Sequence, residues 1–247
     1  MELQKRDRFI SLWRRCFNEA ELPLTFYYST ENHNVPIVKP AAGHTCLVAQ
    51  VLAARRGNPL CFLPESVGCV GGKRYLNYTN TMRDRFSYFL SHGEEGERCE
   101  RYKRTPEQVD VMMKSLPELP RKGDCLIVKR WDQLEEADQP EAVIFFATPD
   151  VLAGLYTLVA FDSVEPDAVI TPFGAGCTAM FYYPYQEQLA GRGRAVLGMF
   201  DPSARVCVDS NLLTLAIPIS KFMEMIDQIE ESFLTMPDWQ RVQRRIL

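Results

Sequence analysis

No run of about 18 uninterrupted apolar residues occurs anywhere in the 247-residue chain, so the sequence offers no helix able to cross a membrane. Positive charge is not in excess either: 28 Lys and Arg stand against 32 Asp and Glu, for a net charge of -4 and an isoelectric point near 5.5. A surface that binds nucleic acid regardless of sequence must neutralise many phosphates, and this balance argues against such a partner. The opening stretch Met1-Glu-Leu-Gln-Lys-Arg-Asp-Arg-Phe9 scatters charge where a secretory leader needs an apolar core, and a cytoplasmic location is the expectation. The eight cysteines include no Cys-x2-Cys pair. A closed zinc site with paired thiolate spacing is therefore absent, and in a reducing compartment the thiols serve as free groups or ligands rather than disulfides.

Familiar catalytic signatures are missing as well. The chain has no Gly-x-Gly-x-x-Gly for a dinucleotide, no Gly-x-Ser-x-Gly elbow, no His-Glu-x-x-His and no zinc-deaminase pattern. Gly68-Cys-Val-Gly-Gly-Lys73 fails as a nucleotide-binding loop, because Val67 stands where the first glycine belongs and Arg74 follows Lys73. What remains at Gly68, Gly71, Gly72 and Lys73 is a generic nest of amides for an anion, with Lys73 and Arg74 otherwise expected on the surface.

What is present is an ordinary globular composition, 46% hydrophobic and 24% charged, without low-complexity segments or a long linker. Residues 2–18 place Leu3, Ile10, Trp13 and Phe17 near one face of a docking helix, which Ala20 extends. Strands are expected at 24–29, 35–39, 60–63, 124–130, 142–147, 195–200, 205–208 and 212–217. Thr105-Pro-Glu-Gln108 carries a helix start in three residues: Thr as cap, Pro at the first position, Gln to close a capping box. Thr148-Pro-Asp150 opens another helix, and Ser220 is expected to cap one with Phe222, Ile226 and Ile229 inward. The sum is an α/β or α+β fold, a single compact domain with a mixed sheet flanked by helices.

Three segments share one grammar: apolar residues, a Pro/Gly turn, then a cysteine in a first helical turn. They are Val35 to Cys46, Leu60 to Cys69, and Ala168-Val-Ile-Thr-Pro-Phe-Gly174-Ala-Gly176-Cys177. Helix N-termini present unpaired amides and a positive dipole end, which favours both anions and thiolates. A crevice shared by the three turns would bind a small, anionic ligand or cofactor. Cys177 is the first choice of reactive, catalytic thiol and Cys69 the second; Gly174, Gly176 and Arg205 complete the ligand-binding set. For each cysteine alone the plainer reading is a small buried residue packing a tight turn. An alternative assigns Cys46, Cys69 and Cys177 to a metal or iron–sulfur group with His44 as fourth ligand, although His44 also suits a cap or a surface position. A third reading is an interaction module, for which a symmetric homodimer is a reasonable assembly although no residue marks its interface. Asp201 and Arg205, flanking a proline turn, are expected to form a local ion pair. No particular cofactor is indicated.

Cys46 opening a helix, Pro64 to Gly72 with Cys69, the Val143 to Leu155 segment with its Thr-Pro-Asp, Phe173-Gly-Ala-Gly-Cys177, and Gly198-Met-Phe-Asp-Pro-Ser-Ala-Arg205 together resemble the uncharacterised prokaryotic ArCR family, a domain-of-unknown-function family. The resemblance implies a stand-alone cytoplasmic protein of prokaryotes and carries no activity with it.

Overall fold

Alternation of apolar residues in the strands dictates the layering. The computed structural model describes residues 3–40, 43–93 and 99–246. Among these, seven strands form one mixed sheet: β1 (Leu24–Ser29), β2 (Leu60–Phe62), β3 (Cys125–Arg130), β4 (Ala142–Ala147), β5 (Val169–Ile170), β6 (Ala195–Gly198) and β7 (Leu213–Pro218). Their order is β2-β3-β1-β4-β7-β6-β5, antiparallel throughout except for the β5–β6 pair. Ten helices accompany the sheet: α1 (Leu3–Phe17), α2 (Leu47–Arg55), α3 (Val70–Tyr75), α4 (Phe86–Leu90), α5 (Pro106–Lys114), α6 (Pro149–Ala160), α7 (Tyr183–Ala190), α8 (Pro202–Arg205), α9 (Ile219–Gln228) and α10 (Pro237–Gln243).

The period-2 alternation of β4 sends Ala142, Ile144 and Phe146 to one face and Val143, Phe145 and Ala147 to the other. The first face is covered by α2, α3 and α7, which bring Leu47, Val51, Tyr75 and Tyr185 onto Phe26 and Val128. The second is covered by α1, α6, α9 and α10, whose Phe9, Trp13, Leu155, Phe222 and Trp239 share one buried core with Phe145 and Ile217. The result is a single α/β domain of three layers. Sheet burial on both faces explains why β4 reads as a continuous apolar run.

Several local expectations differ from the fold. Residues 35–39 form no strand; only Ile37 bridges Cys61, because the segment crosses the sheet edge in Pro-interrupted form. Residues 205–208 are the end of α8 and a turn rather than extended chain. Ser220 lies inside α9, whose cap is Pro218, and its hydroxyl donates to Gln188 instead. On α1 the buried residues include Phe9, Leu12 and Cys16 beside Trp13 and Phe17, while Leu3 is exposed. The capping box at Thr105 and Gln108 forms as its sequence dictates.

Two contacts lend themselves to measurement. Gly154 on α6 has no room for a Cβ, which would lie 2.3 Å from Trp239 Cη2 and 2.8 Å from Phe17 Cε1. Gly154→Ala gains helix propensity but overpacks three elements, and a urea melt should show a net loss of about 1–3 kcal/mol. Glu187 on α7 is buried at the foot of β6 and receives Arg192 (2.8 Å) and Arg194 (2.9 Å), while Arg194 also reaches Asp167 at 2.9 Å. Burial alone would raise the Glu187 carboxyl, but the two guanidiniums more than reverse this and hold it below its ordinary 4.5. A carboxyl lowered on folding contributes stability that is present above its unfolded value and lost as pH falls through the folded one. Glu187→Gln should therefore be less stable at pH 7 and show a shallower loss below about pH 4.5 than the wild type, read from thermal melts across pH.

Candidate functional site

At the end of β6 the backbone turns sharply. Gly198 lies so close to the Thr178–Tyr182 helical run that a Cβ there would be 2.3 Å from Ala179 Cβ, and Met199, fully buried, takes φ +72°. A long side chain in the left-handed region is strained. This turn places Asp201, itself buried, across from the start of the next layer: its Oδ2 accepts the Gly176 amide at 3.1 Å, and its Oδ1 accepts the Ser203 amide at 3.0 Å and hydroxyl at 2.9 Å. One carboxylate thus caps two helix starts, α8 and the helical run from Gly176. Arg205 does not pair with Asp201; its guanidinium donates to the carbonyls of Asp209 and Ser210, at 3.2 and 2.6 Å, and closes the turn after α8.

The helical run itself is irregular. Thr178–Tyr182 makes a π-helical turn that leads into α7. Such bulges are frequent at functional sites. Gly176 permits close packing, since a Cβ would fall 2.8 Å from Ala204 and 3.3 Å from Val48. Phe173, before the turn, is exposed and sits edge-on to Tyr102, with Lys103 Nζ 5.0 Å from its ring centre. The Tyr102 hydroxyl in turn accepts the Ser203 amide. Gly174 is half-buried beside Thr178.

All three cysteines stand at helix starts. Cys46 caps α2, Cys69 caps α3 and accepts the Gly72 amide at 3.4 Å, and Cys177 lies in the first turn of its run. The fold brings them near one another, close enough that charge on Cys69 or Cys46 would raise Cys177, and charge on Cys46 would raise Cys69. Gly72 makes this possible, because a Cβ there would be 3.0 Å from Val67 and 3.3 Å from Leu47. The expected lowering of the thiols does not occur. Burial pushes Cys177 well above its ordinary range and raises Cys69 too, the Gly72 amide only partly offsetting it.

His44 is exposed. No three His, Cys, Asp or Glu side chains gather in metal-binding geometry among the described residues. Lys73 is half-buried and forms no ion pair among those residues; Gly68 and Gly71 flank the Cys69 cap.

Two further residues escaped the sequence reading. Arg74, expected at the surface, is buried between α3 and the segment after α5; Nη2 donates to Leu116 carbonyl at 2.5 Å, Nη1 has no partner, and no acidic group among the described residues pairs with it. It lies near Tyr182, whose hydroxyl burial raises and Arg74 pulls back. Tyr75, next in sequence, has its hydroxyl raised by burial and by Cys177, and faces Thr178. The second residue is Cys207. It lines a cleft of about 300 Å³ with Glu21, Leu52, Arg55, Arg56, Val208 and Asp209. A neighbouring cleft of about 570 Å³ at the start of α6 shares Glu21 and is lined by Phe146, Asp150 and Arg245. The only advance signal for this cluster was Asp-Pro-Ser at 201–203, a cap followed by proline at the first helical position.

A single α/β domain with a seven-stranded mixed sheet between helical layers is the class that the fold defines. Within that class, residues 14–228 match the uncharacterised ArCR family, and the chain belongs to it. No curated protein and no solved structure matches the chain.

The thiols should differ sharply in reactivity. Iodoacetamide at pH 7.5 followed by peptide mapping should leave Cys177 and Cys61 unmodified while half-exposed Cys207 is alkylated at least about tenfold faster, because both thiolate fraction and access govern the rate.

Proposed function

We propose that this protein binds a small anion in the crevice between α2, α3 and the Gly176–Tyr182 turn. The observation that carries the reading is Arg74: a buried guanidinium with one nitrogen unpartnered and, among the described residues, no carboxylate to balance it. An unpaired charge in the interior is costly, and a ligand carrying phosphate or carboxylate oxygens would supply the missing acceptor. The amide-presenting starts of α2 and α3 lie on the same side, which adds to the preference for negative charge. Gly68, Gly71 and Gly72 would let backbone approach the ligand, and Gly174 and Gly176 shape the opposite wall. Cys69 and Cys177 line the crevice as neutral thiols at pH 7 and contribute polarisable contacts. Arg205 and Lys73 lie further out, Arg205 by holding the loop that follows α8. The chemistry of the residues supports binding and supplies no complete set for a reaction.

Scanning fluorimetry with inorganic phosphate and acetate tests this directly. A site filled to one hundred times its Kd adds about 2.7 kcal/mol, or about 5–10 °C in Tm for a domain of this size. Arg74→Met should fold with near-wild-type Tm in the absence of anion, since it removes an uncompensated buried charge, and should lose the anion-dependent shift. An undiminished shift in that variant, or no shift in the wild type with either anion, removes the reading.

A further inference from the structure

Leu116-Pro117-Glu118-Leu119-Pro120 lies between α5 and β3, against Arg74. Its two leucines, three positions apart, are buried, while Pro117, Glu118 and Pro120 are exposed. A Pro-x-x-Pro stretch favours an extended path with three residues per turn, which leaves its carbonyls without internal partners. Side chains supply the partners instead. Arg74 Nη2 donates to the Leu116 carbonyl at 2.5 Å, the Tyr182 hydroxyl to that of Pro117, and the Tyr185 hydroxyl to that of Pro120 at 2.7 Å. The Leu119 amide donates to Asn77 Oδ1 at 3.1 Å, and Arg121 Nε to the Asn77 carbonyl at 2.9 Å. Among the described residues, no backbone-to-backbone hydrogen bond involves 117–122. The segment is therefore a strap tied down by side chains alone. Its downstream end is fixed by packing, since a Cβ on Gly123 would lie 2.1 Å from the Ser29 carbonyl oxygen. Beside the strap two donors are buried without a partner among the described residues, Arg74 Nη1 and Asn77 Nδ2.

From these ties we infer that residues 116–121 form a lid over Arg74, closed in the free protein with the Leu116 carbonyl holding the place of a ligand oxygen, and released when an oxyanion takes the guanidinium. The inference rests on the anion-binding reading and adds to it how the ligand enters. Access is the first reason. Arg74 is only 5% exposed, so an anion reaches Nη1 only by displacing part of the cover. Acceptor strength is the second. Hydrogen bonds between ionised partners are about twice as strong as neutral ones, so phosphate oxygens outcompete a peptide carbonyl for Nη2 and give Nη1 the acceptor it lacks. The third reason is how lightly the lid is held: a segment with no backbone ladder opens locally at lower free energy than the strands beneath it. Closure therefore sets the apparent affinity, because the measured Kd is the intrinsic one divided by the open fraction. Tyr182 and Tyr185 hold the strap through their hydroxyls, and loosening either tie raises that fraction.

Hydrogen exchange at the Leu119 amide, followed by NMR on the full-length protein with and without inorganic phosphate, reads the strap directly. In the closed lid Asn77 protects this amide. Saturating phosphate should speed its exchange at least about tenfold, while amides in β1 and β4 keep their rates or slow. A thermal shift with phosphate accompanied by unchanged or slower exchange at Leu119 overturns the lid and leaves the anion site standing. No thermal shift and no change in exchange overturns both. A second measurement varies the ties: Tyr182→Phe combined with Tyr185→Phe removes two bonds to the strap and leaves the Arg74 donors in place. Calorimetric titration should give that variant a phosphate Kd about tenfold lower than the wild type, and an equal or higher Kd overturns the lid. The wild-type exchange result decides the matter by itself if the double variant does not fold.

Discussion

Asp201 is the group on which the arrangement of the Gly176 run and α8 depends. Its two carboxylate oxygens accept from Gly176 on one side and from Ser203 on the other, so a single buried anion fixes two helix starts relative to each other. Without that bridge the amide of Gly176 would be a buried donor lacking an acceptor, a loss of about 1–3 kcal/mol. Cys177 follows Gly176 directly, and Cys207 lies just beyond α8. The positions of both sulfurs thus descend from one capping interaction rather than from any contact between cysteines. The bridge also means that the positive end of the Gly176 run already faces a negative charge belonging to the protein itself.

The chemistry of the thiols follows from a competition whose terms differ in size. A helix N-terminus stabilises a nearby anion by about 0.3–1 kcal/mol in ordinary settings and about 2 in favourable ones. Full burial shifts a titrating group by up to about 3–5 units, each worth roughly 1.4 kcal/mol. Cys177 is almost wholly out of water, so the second term wins and the thiol stays protonated. Cys69 follows the same rule with a smaller imbalance, because the Gly72 amide reaches its sulfur. A cysteine at a helix start is thus a thiolate only where solvent also reaches it.

Local grammar was legible in the sequence, and tertiary burial was not. Thr105-Pro-Glu-Gln108 needs only its own side chains to cap a helix, and it does so. The strands at 24–29, 142–147 and 212–217 announce themselves through apolar and β-branched residues, and the fold realises them with boundaries within a residue. Residues 35–39 carry the same composition, but Pro36 and Pro40 deprive the segment of amides, so it meets the sheet at Ile37 alone. The three cysteine turns could be located because Pro and Gly mark them, and the expectation that they share a crevice rested on that mark. Arg74 illustrates the limit: a Lys-Arg pair after two glycines reads as solvated surface, and only the packing of α3 beneath Leu116 and Tyr182 takes Arg74 out of water while Lys73 stays half-buried. Cys207 was invisible for a related reason, since nothing in its neighbourhood announces the cleft it lines with Leu52, Arg55 and Arg56.

The strained backbone at Met199 shows how these parts are held together. A buried methionine at φ +72° costs about 1–3 kcal/mol relative to an unstrained conformation, and a glycine there would relieve it. The position instead supplies a side chain whose sulfur reaches the wall beside Gly176, where a Cβ on that glycine would lie 3.4 Å from it. Had the chain continued as extended strand after Gly198, Asp201 would be carried away from Gly176 along the direction of β6. The left-handed residue reverses the path within three positions and returns the carboxylate to the first turn of the neighbouring helical run. Gly198 and Gly176 allow the approach, Met199 fills the space that their missing side chains leave, and Asp201 fastens the contact. The strain is thus tied to the geometry that joins the start of the Gly176 run to the start of α8.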